Sequence, residues 1–179
     1  MLNEISKVLL TENQIREKTK ELGARISEDY KGKNLFLVSI LKGAAIFMSD
    51  LLRSITLHCK IDFMAVSSYG ERIKTSGIVR ILKDLDVSLE GYDVLIVEDI
   101  LDSGMTLSYV SELLHTRNLS SMKICTLLDK PVCRRVDIKA DYIGFEIPNE
   151  FVVGYGLDYA ERYRNLPFIG VLKPEIYKE

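Results

Sequence analysis

The chain has 179 residues, 47% of them apolar and 28% charged, with 11 glycines and 4 prolines, which excludes a fibrous or low-complexity protein and fits one domain over 1–179 with a substantial core. The formal net charge of −2 excludes a general attraction to nucleic acid, and no apolar run approaches the roughly 20 residues of a membrane span. The opening Met1-Leu2-Asn3-Glu4 has neither the cationic start nor the apolar stretch of a secretory leader, so a cytoplasmic location without a membrane partner is expected. Cys59, Cys125 and Cys133 are odd in number and lack C-x-x-C spacing, and His58 and His115 have no metal-ligand pattern beside them. Neither a disulfide framework nor a zinc site is indicated.

Thr11 with Gln14 forms a capping box, and Ile15, Leu22, Ile26 and Tyr30 recur at multiples of about 3.6 residues, predicting a helix that runs to near Gly32. A short apolar strand follows at Leu35 to Ile40. After Lys42-Gly43, the segment from Ala44 to Ile55 places Ile46, Phe47, Met48, Leu51 and Leu52 on a broad apolar face of a second helix. Ile61, Phe63 and Ala65 alternate along a strand ending at Ser67-Ser68-Tyr69-Gly70, and the polar stretch 71–77 reads as a mobile loop before a returning strand at Ile78 to Leu82. Tyr92 to Val97 is an almost wholly apolar strand of the buried parallel kind, and Met105 to Arg117 is helical. Strands at Met122 to Leu128, Tyr142 to Ile147 and Phe168 to Leu172 complete an α/β fold with a mostly parallel sheet.

The most informative segment is Val94-Leu95-Ile96-Val97-Glu98-Asp99-Ile100-Leu101-Asp102-Ser103-Gly104-Met105-Thr106, in which a buried strand runs into two adjacent carboxylates and then a D-S-G-x-T turn opens a helix. Strand C-termini form the ligand crevice of an open α/β sheet, so this turn lies where a substrate binds. Backbone N–H groups from Ser103 to Thr106, with the hydroxyls of Ser103 and Thr106, can surround a phosphate at the helix N-terminus, and Gly104 permits close approach. Glu98 and Asp99 suit the vicinal hydroxyls of a ribose and hydrated Mg²⁺. The plainer alternative makes Asp102 a helix N-cap and Glu98 and Asp99 solvated loop residues.

This segment resembles the phosphoribosyl pyrophosphate-binding motif of type I phosphoribosyltransferases, and closely resembles its hypoxanthine-guanine version; the likeness extends over most of the chain. The resemblance implies a mostly parallel sheet flanked by helices, with a small base-binding hood. It assigns Leu41-Lys42-Gly43 to a pyrophosphate-binding loop that often contains a non-proline cis peptide, with Ala44 where a second glycine is usual. It assigns Ser68-Tyr69-Gly70 to a mobile catalytic loop, Lys130 to the six-position oxygen of a purine, and Phe151 and Val152 to stacking on the base and a backbone carbonyl at its other edge. Asp158 is implied to contact the purine and a second Mg²⁺, joining Glu98 and Asp99 as metal-site residues. Arg164 is implied to contact pyrophosphate, with Arg134 near the leaving group. Glu98, Asp99, Asp102, Ser103, Gly104, Met105 and Thr106 together take the ribose 5-phosphate, and Asp102 is the general base.

The implied activity is Mg²⁺-dependent formation of IMP or GMP from phosphoribosyl pyrophosphate and hypoxanthine or guanine, by a homodimer or homotetramer. Read alone, Phe151 and Val152 are more often core residues, and Lys42 can be an exposed charge beside a turn. Alternatives are a regulator of the same fold that reads nucleic acid, a transferase for adenine or a pyrimidine, and an interaction protein with flavodoxin-like topology. The near-neutral charge opposes the first, and the acidic cluster opposes the last.

Overall fold

A computed structural model describes residues 1–68 and 79–178. The central sheet has six strands in the order β4-β3-β2-β5-β6-β7: β2 is Leu35–Leu41, β3 Lys60–Ser68, β4 Val79–Lys83, β5 Asp93–Leu101, β6 Ser121–Asp129 and β7 Tyr142–Glu146. β3, β2, β5, β6 and β7 are mutually parallel, and β4 returns antiparallel along β3. Helix α1 (Glu12–Asp29) starts at the expected capping box: the Thr11 hydroxyl accepts from Gln14 N–H at 3.3 Å and Gln14 Oε1 accepts from Thr11 N–H at 2.9 Å. Helix α2 spans Ala45–Ser54 and α3 Met105–His115.

The apolar runs of β2 and β5 follow from burial of both sheet faces. Leu37, Leu95 and Val97 face α1 and α2 and pack with Ile15, Leu22, Ile26, Phe47 and Leu51. Phe36, Val38, Val94 and Ile96 face the other way, toward Leu107, Val110 and Leu114 of α3. Two details differ from expectation. Ile46 is exposed, so α2 buries a narrower stripe centred on Phe47, Met48 and Leu51. On β3 the fully buried residue is Met64, whereas Ile61 is exposed: Phe63 packs partly buried on one core cluster and Met64 on the other, so both faces of this strand are covered.

A second sheet of three strands, ordered β1-β9-β8, stands apart from the first. It consists of β1 (Ile5–Leu10), β8 (Val152–Val153) and β9 (Ile169–Leu172), all antiparallel. This corrects the placement of Phe168 to Leu172 in the parallel sheet: β7 is already the edge strand there, and the C-terminal strand pairs with β1 and β8. An apolar run does not specify its partner, and β1, with mostly exposed residues, gave no strand signal. The small sheet buries Val153, Tyr163, Leu166 and Leu172 as its own cluster, with Ile5, Phe151, Tyr159 and Phe168 packed on it. Among the described residues, no helix is long and apolar enough to cross a membrane.

Candidate active site

β5 does not end at Val97. It continues through Glu98, Asp99 and Ile100 to Leu101, held by β6 through Glu98↔Thr126, Ile100↔Leu128 and Leu101↔Asp129. The acidic pair therefore lies within a strand and not in the loop after it. Its pairing with β2 stops at Ser39↔Val97, so the carboxylates emerge where β2 and β5 diverge. That divergence is also the point from which the strand order runs outward in both directions, the place where parallel α/β sheets bind ligands.

A cleft of about 300 Å³ opens there and is lined by residues that include Leu41, Gly43, Glu98, Asp99, Asp102, Ser103, Gly104 and Thr106. Eight of the expected site residues thus share one cavity. Asp99 is only 8% exposed, which removes the reading of a solvated loop residue. Burial pushes the Glu98 carboxyl well above its ordinary range, and the charge of Asp99 raises it further. Burial likewise pushes Asp99 up to about 6, against the lowering effect of backbone hydrogen bonds and of Arg164. Two neighbouring carboxylates resisting ionisation form a locus that a cation would relieve.

The turn after β5 does not use Asp102 as the cap of α3. The N-cap of α3 is Gly104, in the left-handed region at φ 81°, and its carbonyl accepts from Ser108 N–H at 2.8 Å. A β-carbon at Gly104 would press into Ile138, so glycine is required there both by conformation and by space. Asp102 is thereby free of the capping role. Its side chain is 47% exposed, with Oδ2 at 3.5 Å from Lys130 Nζ. Lys130 is itself only 7% exposed, just beyond β6, and its backbone N–H donates to Leu101 O at 3.0 Å. A buried ammonium thus stands beside an accessible carboxylate that lines the cleft.

On the opposite wall, the Leu41–Lys42 peptide is cis. A β-carbon on Gly43 would overlap the Asp99 carboxylate, so this glycine lets the loop reach the acidic pair. Ala44, standing where a glycine is usual, has φ −67° and ψ −8°, a right-handed conformation that alanine adopts without strain. Arg164 Nη2 lies 2.8 Å from Asp158 Oδ1, and Nη1 donates to Gly156 O at 2.7 Å. Glu161, which sequence reasoning passed over, joins this wall: Oε2 lies 3.0 Å from Lys42 Nζ and Oε1 lies 3.3 Å from Arg164 Nη2. Its backbone has φ 61°, and its N–H donates to Asp158 Oδ2 at 2.9 Å. An exposed glutamate in a polar turn carries no sequence signal for such a contact.

Val152 lies in β8 of the small sheet and Phe151 immediately before it, both outside the 300 Å³ cleft. The Phe151 ring stacks on Tyr177 with centroids 4.5 Å apart and meets Tyr159 edge-on at 5.6 Å. Arg134, expected near the leaving group, instead pairs with Asp129 and donates to backbone carbonyls of the β5 turn. In the expected mobile loop, Ser68 ends β3, while Tyr69 and Gly70 lie outside the described residues.

The family described as "Phosphoribosyl transferase domain" matches residues 7–160. The hypoxanthine-guanine phosphoribosyltransferase of Bacillus subtilis is 57% identical over 178 residues, covering 99% of both chains. The bifunctional protein TilS/HprT of Listeria monocytogenes is 58% identical over all 179 residues, and this chain spans 28% of its length. The crystal structure of a hypoxanthine phosphoribosyltransferase from Staphylococcus aureus superposes with a TM-score of 0.96 at 56% identity, covering 100% of this chain and 97% of that one. With the acidic strand end, the cis loop and the buried lysine in one site, the chain belongs to the phosphoribosyltransferase family, in its hypoxanthine-guanine branch.

Proposed function

We propose that the chain transfers ribose 5-phosphate from phosphoribosyl pyrophosphate to hypoxanthine or guanine, forming IMP or GMP and releasing pyrophosphate. The observation that carries this reading is the convergence of Glu98, Asp99, Asp102 and the Ser103–Thr106 turn in one cleft, with Lys130 buried beside Asp102. The 5-phosphate is taken by the N–H groups and hydroxyls of Ser103, Gly104, Met105 and Thr106 at the start of α3. Glu98 and Asp99 accept from the ribose hydroxyls. Leu41, Lys42, Gly43 and Arg164 hold the pyrophosphate.

The bond from the anomeric carbon to the pyrophosphate oxygen breaks as the bond to a purine ring nitrogen forms. Asp102 accepts the proton that the base releases, as a general base on an accessible wall of the cleft. Lys42 and Arg164 stabilise the charge that accumulates on the departing group. Both are currently neutralised by Glu161, so binding of pyrophosphate exchanges one anionic partner for another. Lys130 donates to the six-position oxygen, with Phe151, Val152 and Asp158 completing the base site.

The donor set fits Mg²⁺. Glu98 and Asp99 are hard oxygen ligands whose ionisation burial and mutual repulsion disfavour, and Asp158 lies across the cleft wall beside Arg164. Among the described residues, no three of His, Cys, Asp or Glu converge closely enough to hold an ion unaided, which suits an ion bound through one or two carboxylates, waters and substrate oxygens. When bound, Mg²⁺ supplies charge neutralisation of the leaving group.

The partners on this reading are small molecules, with neither nucleic acid nor membrane among them, in a cytoplasmic homodimer or homotetramer. The net charge of −2 supports the first point. The functional test follows nucleotide formation from phosphoribosyl pyrophosphate with each free base, with and without Mg²⁺. Hypoxanthine and guanine should give product only with the metal; product from adenine or orotate alone would sink the reading.

A further inference from the structure

The turn that is to hold the 5-phosphate must present N–H groups to an anion and turn its carbonyl oxygens away. Within one peptide plane the C=O of a residue and the N–H of the next point in opposite directions. Fixing the carbonyls of residues 101 to 103 on the outside therefore turns the N–H groups of 102 to 104 toward the cleft. All three carbonyls are fixed that way. Arg134 Nη1 donates to Leu101 O at 3.0 Å and to Asp102 O at 2.5 Å, one proton for each. The backbone N–H of Arg135 donates to Ser103 O at 2.9 Å.

We infer that Arg134 is a positioning residue for the ribose-phosphate turn, clamping the backbone that carries Asp102 from the side away from the substrate. Its other nitrogen, Nη2, pairs with the Asp129 carboxylate at the end of β6, and both side chains are largely buried, at 16% and 12% exposure. The pair is internally neutral, so Arg134 supplies orientation and not charge to the phosphate site. Its position also couples two subsites: Asp129 immediately precedes Lys130, whose backbone N–H shares the Leu101 carbonyl with the guanidinium. A planar fork with several fixed donors is needed to reach two carbonyls and a carboxylate at once; a lysine ammonium in the same place is a point charge with one direction of approach.

This inference rests on the functional reading above, and the experiment separates the two. The wild-type protein is first assayed with phosphoribosyl pyrophosphate, Mg²⁺ and hypoxanthine; absence of turnover there overturns the functional reading. With wild-type turnover in hand, Arg134→Lys, Arg134→Ala and Asp129→Asn are compared for kcat/KM toward each substrate, for thermal midpoint, and for phosphoribosyl pyrophosphate binding by calorimetry. A displaced turn is expected to lower kcat/KM for phosphoribosyl pyrophosphate by about 10²-fold in Arg134→Lys, the scale of a misplacement of about 1 Å at a reacting centre. The hypoxanthine KM should change much less, and Asp129→Asn should be intermediate. Guanidinium chloride at millimolar concentration should restore part of the activity of Arg134→Ala and none of that of Asp129→Asn. Arg134→Lys with wild-type kcat/KM for phosphoribosyl pyrophosphate overturns the inference, as does a loss in both variants that merely follows the fraction of folded protein. Should Arg134→Ala fail to fold, the lysine and asparagine variants still decide between these outcomes.

Discussion

Asp102 and Lys130 lie 3.5 Å apart, one half-exposed and the other almost fully buried, and the roles proposed for them separate along that difference. A base that exchanges protons with substrate needs access, which Asp102 has because Gly104 does the capping of α3. Asp102→Asn keeps the shape and leaves the helix start untouched, so the variant should unfold at the wild-type temperature and lose about 10²- to 10⁴-fold in turnover. Near-full turnover would remove Asp102 from the base role. Lys130 is the buried donor assigned to the purine oxygen, and adenine would set an amino group against it. An unmatched buried charge of that kind costs about 1–3 kcal/mol or more, so adenine should be a very poor substrate. Lys130→Ala should lose most activity on hypoxanthine and narrow the gap between the two bases. An unchanged ratio of kcat/KM values would place the discriminating contact elsewhere, with the backbone at Val152 the next residue to examine. Asp102 was legible in the sequence because it opens the D-S-G-x-T turn after a buried strand, and Lys130 through the family resemblance at a strand end. The contacts of Glu161 with Lys42 and of Arg134 with the Leu101 and Asp102 carbonyls were not, since they join residues 119, 33 and 32 apart and no local pattern encodes such a meeting.

At the scale of elements, α1 was readable nearly to the residue, because a capping box is a local device. The Thr11 hydroxyl and the Gln14 side chain satisfy each other's backbone N–H groups without help from the rest of the chain. Thr11→Ala should accordingly cost about 1 kcal/mol, lowering the thermal midpoint by about 2–4 °C, while leaving both KM values unchanged because Thr11 does not line the catalytic cleft. A shifted KM would show that the N-terminus of α1 is coupled to the site. β5 shows the opposite case. Its apolar run stops at Val97 although the strand continues four residues, since the ladder is sustained by β6 while the side chains turn polar for function. Periodicity reports burial, and where a strand carries a site the two part company. β3 was expected from the alternation of Ile61, Phe63 and Ala65, but that alternation does not show that the opposite face is packed as well: Phe63 lies against one cluster and Met64 is buried in the other.

The described residues form two sheets, and only the larger was foreseen. The parallel sheet follows from apolar strands alternating with helices, whereas the small sheet brings residues 5–10 against residues 169–172 across nearly the whole chain. Nothing local marks such a pairing, and loop closure over that distance is an entropic cost met only by tertiary packing. On the proposed reading the ligand groups come from elements far apart in sequence: the loop at 41–43, the turn at 98–106, Lys130 and the segment 156–164. A ligand that joins them stabilises the whole fold by mass action. Phosphoribosyl pyrophosphate with Mg²⁺, at 100 times its dissociation constant, should add about 2.7 kcal/mol, which for a chain of this size raises the thermal midpoint by about 5–11 °C. Mg²⁺ alone should do far less, because Glu98 and Asp99 offer it two carboxylates and, among the described residues, no third ligand of that kind closes the shell. The measurement is a melting curve with the metal, with the substrate, and with both. Synergy between them is the expected result; an equal shift from Mg²⁺ alone would mean that the protein's own carboxylates suffice to hold the ion before substrate arrives.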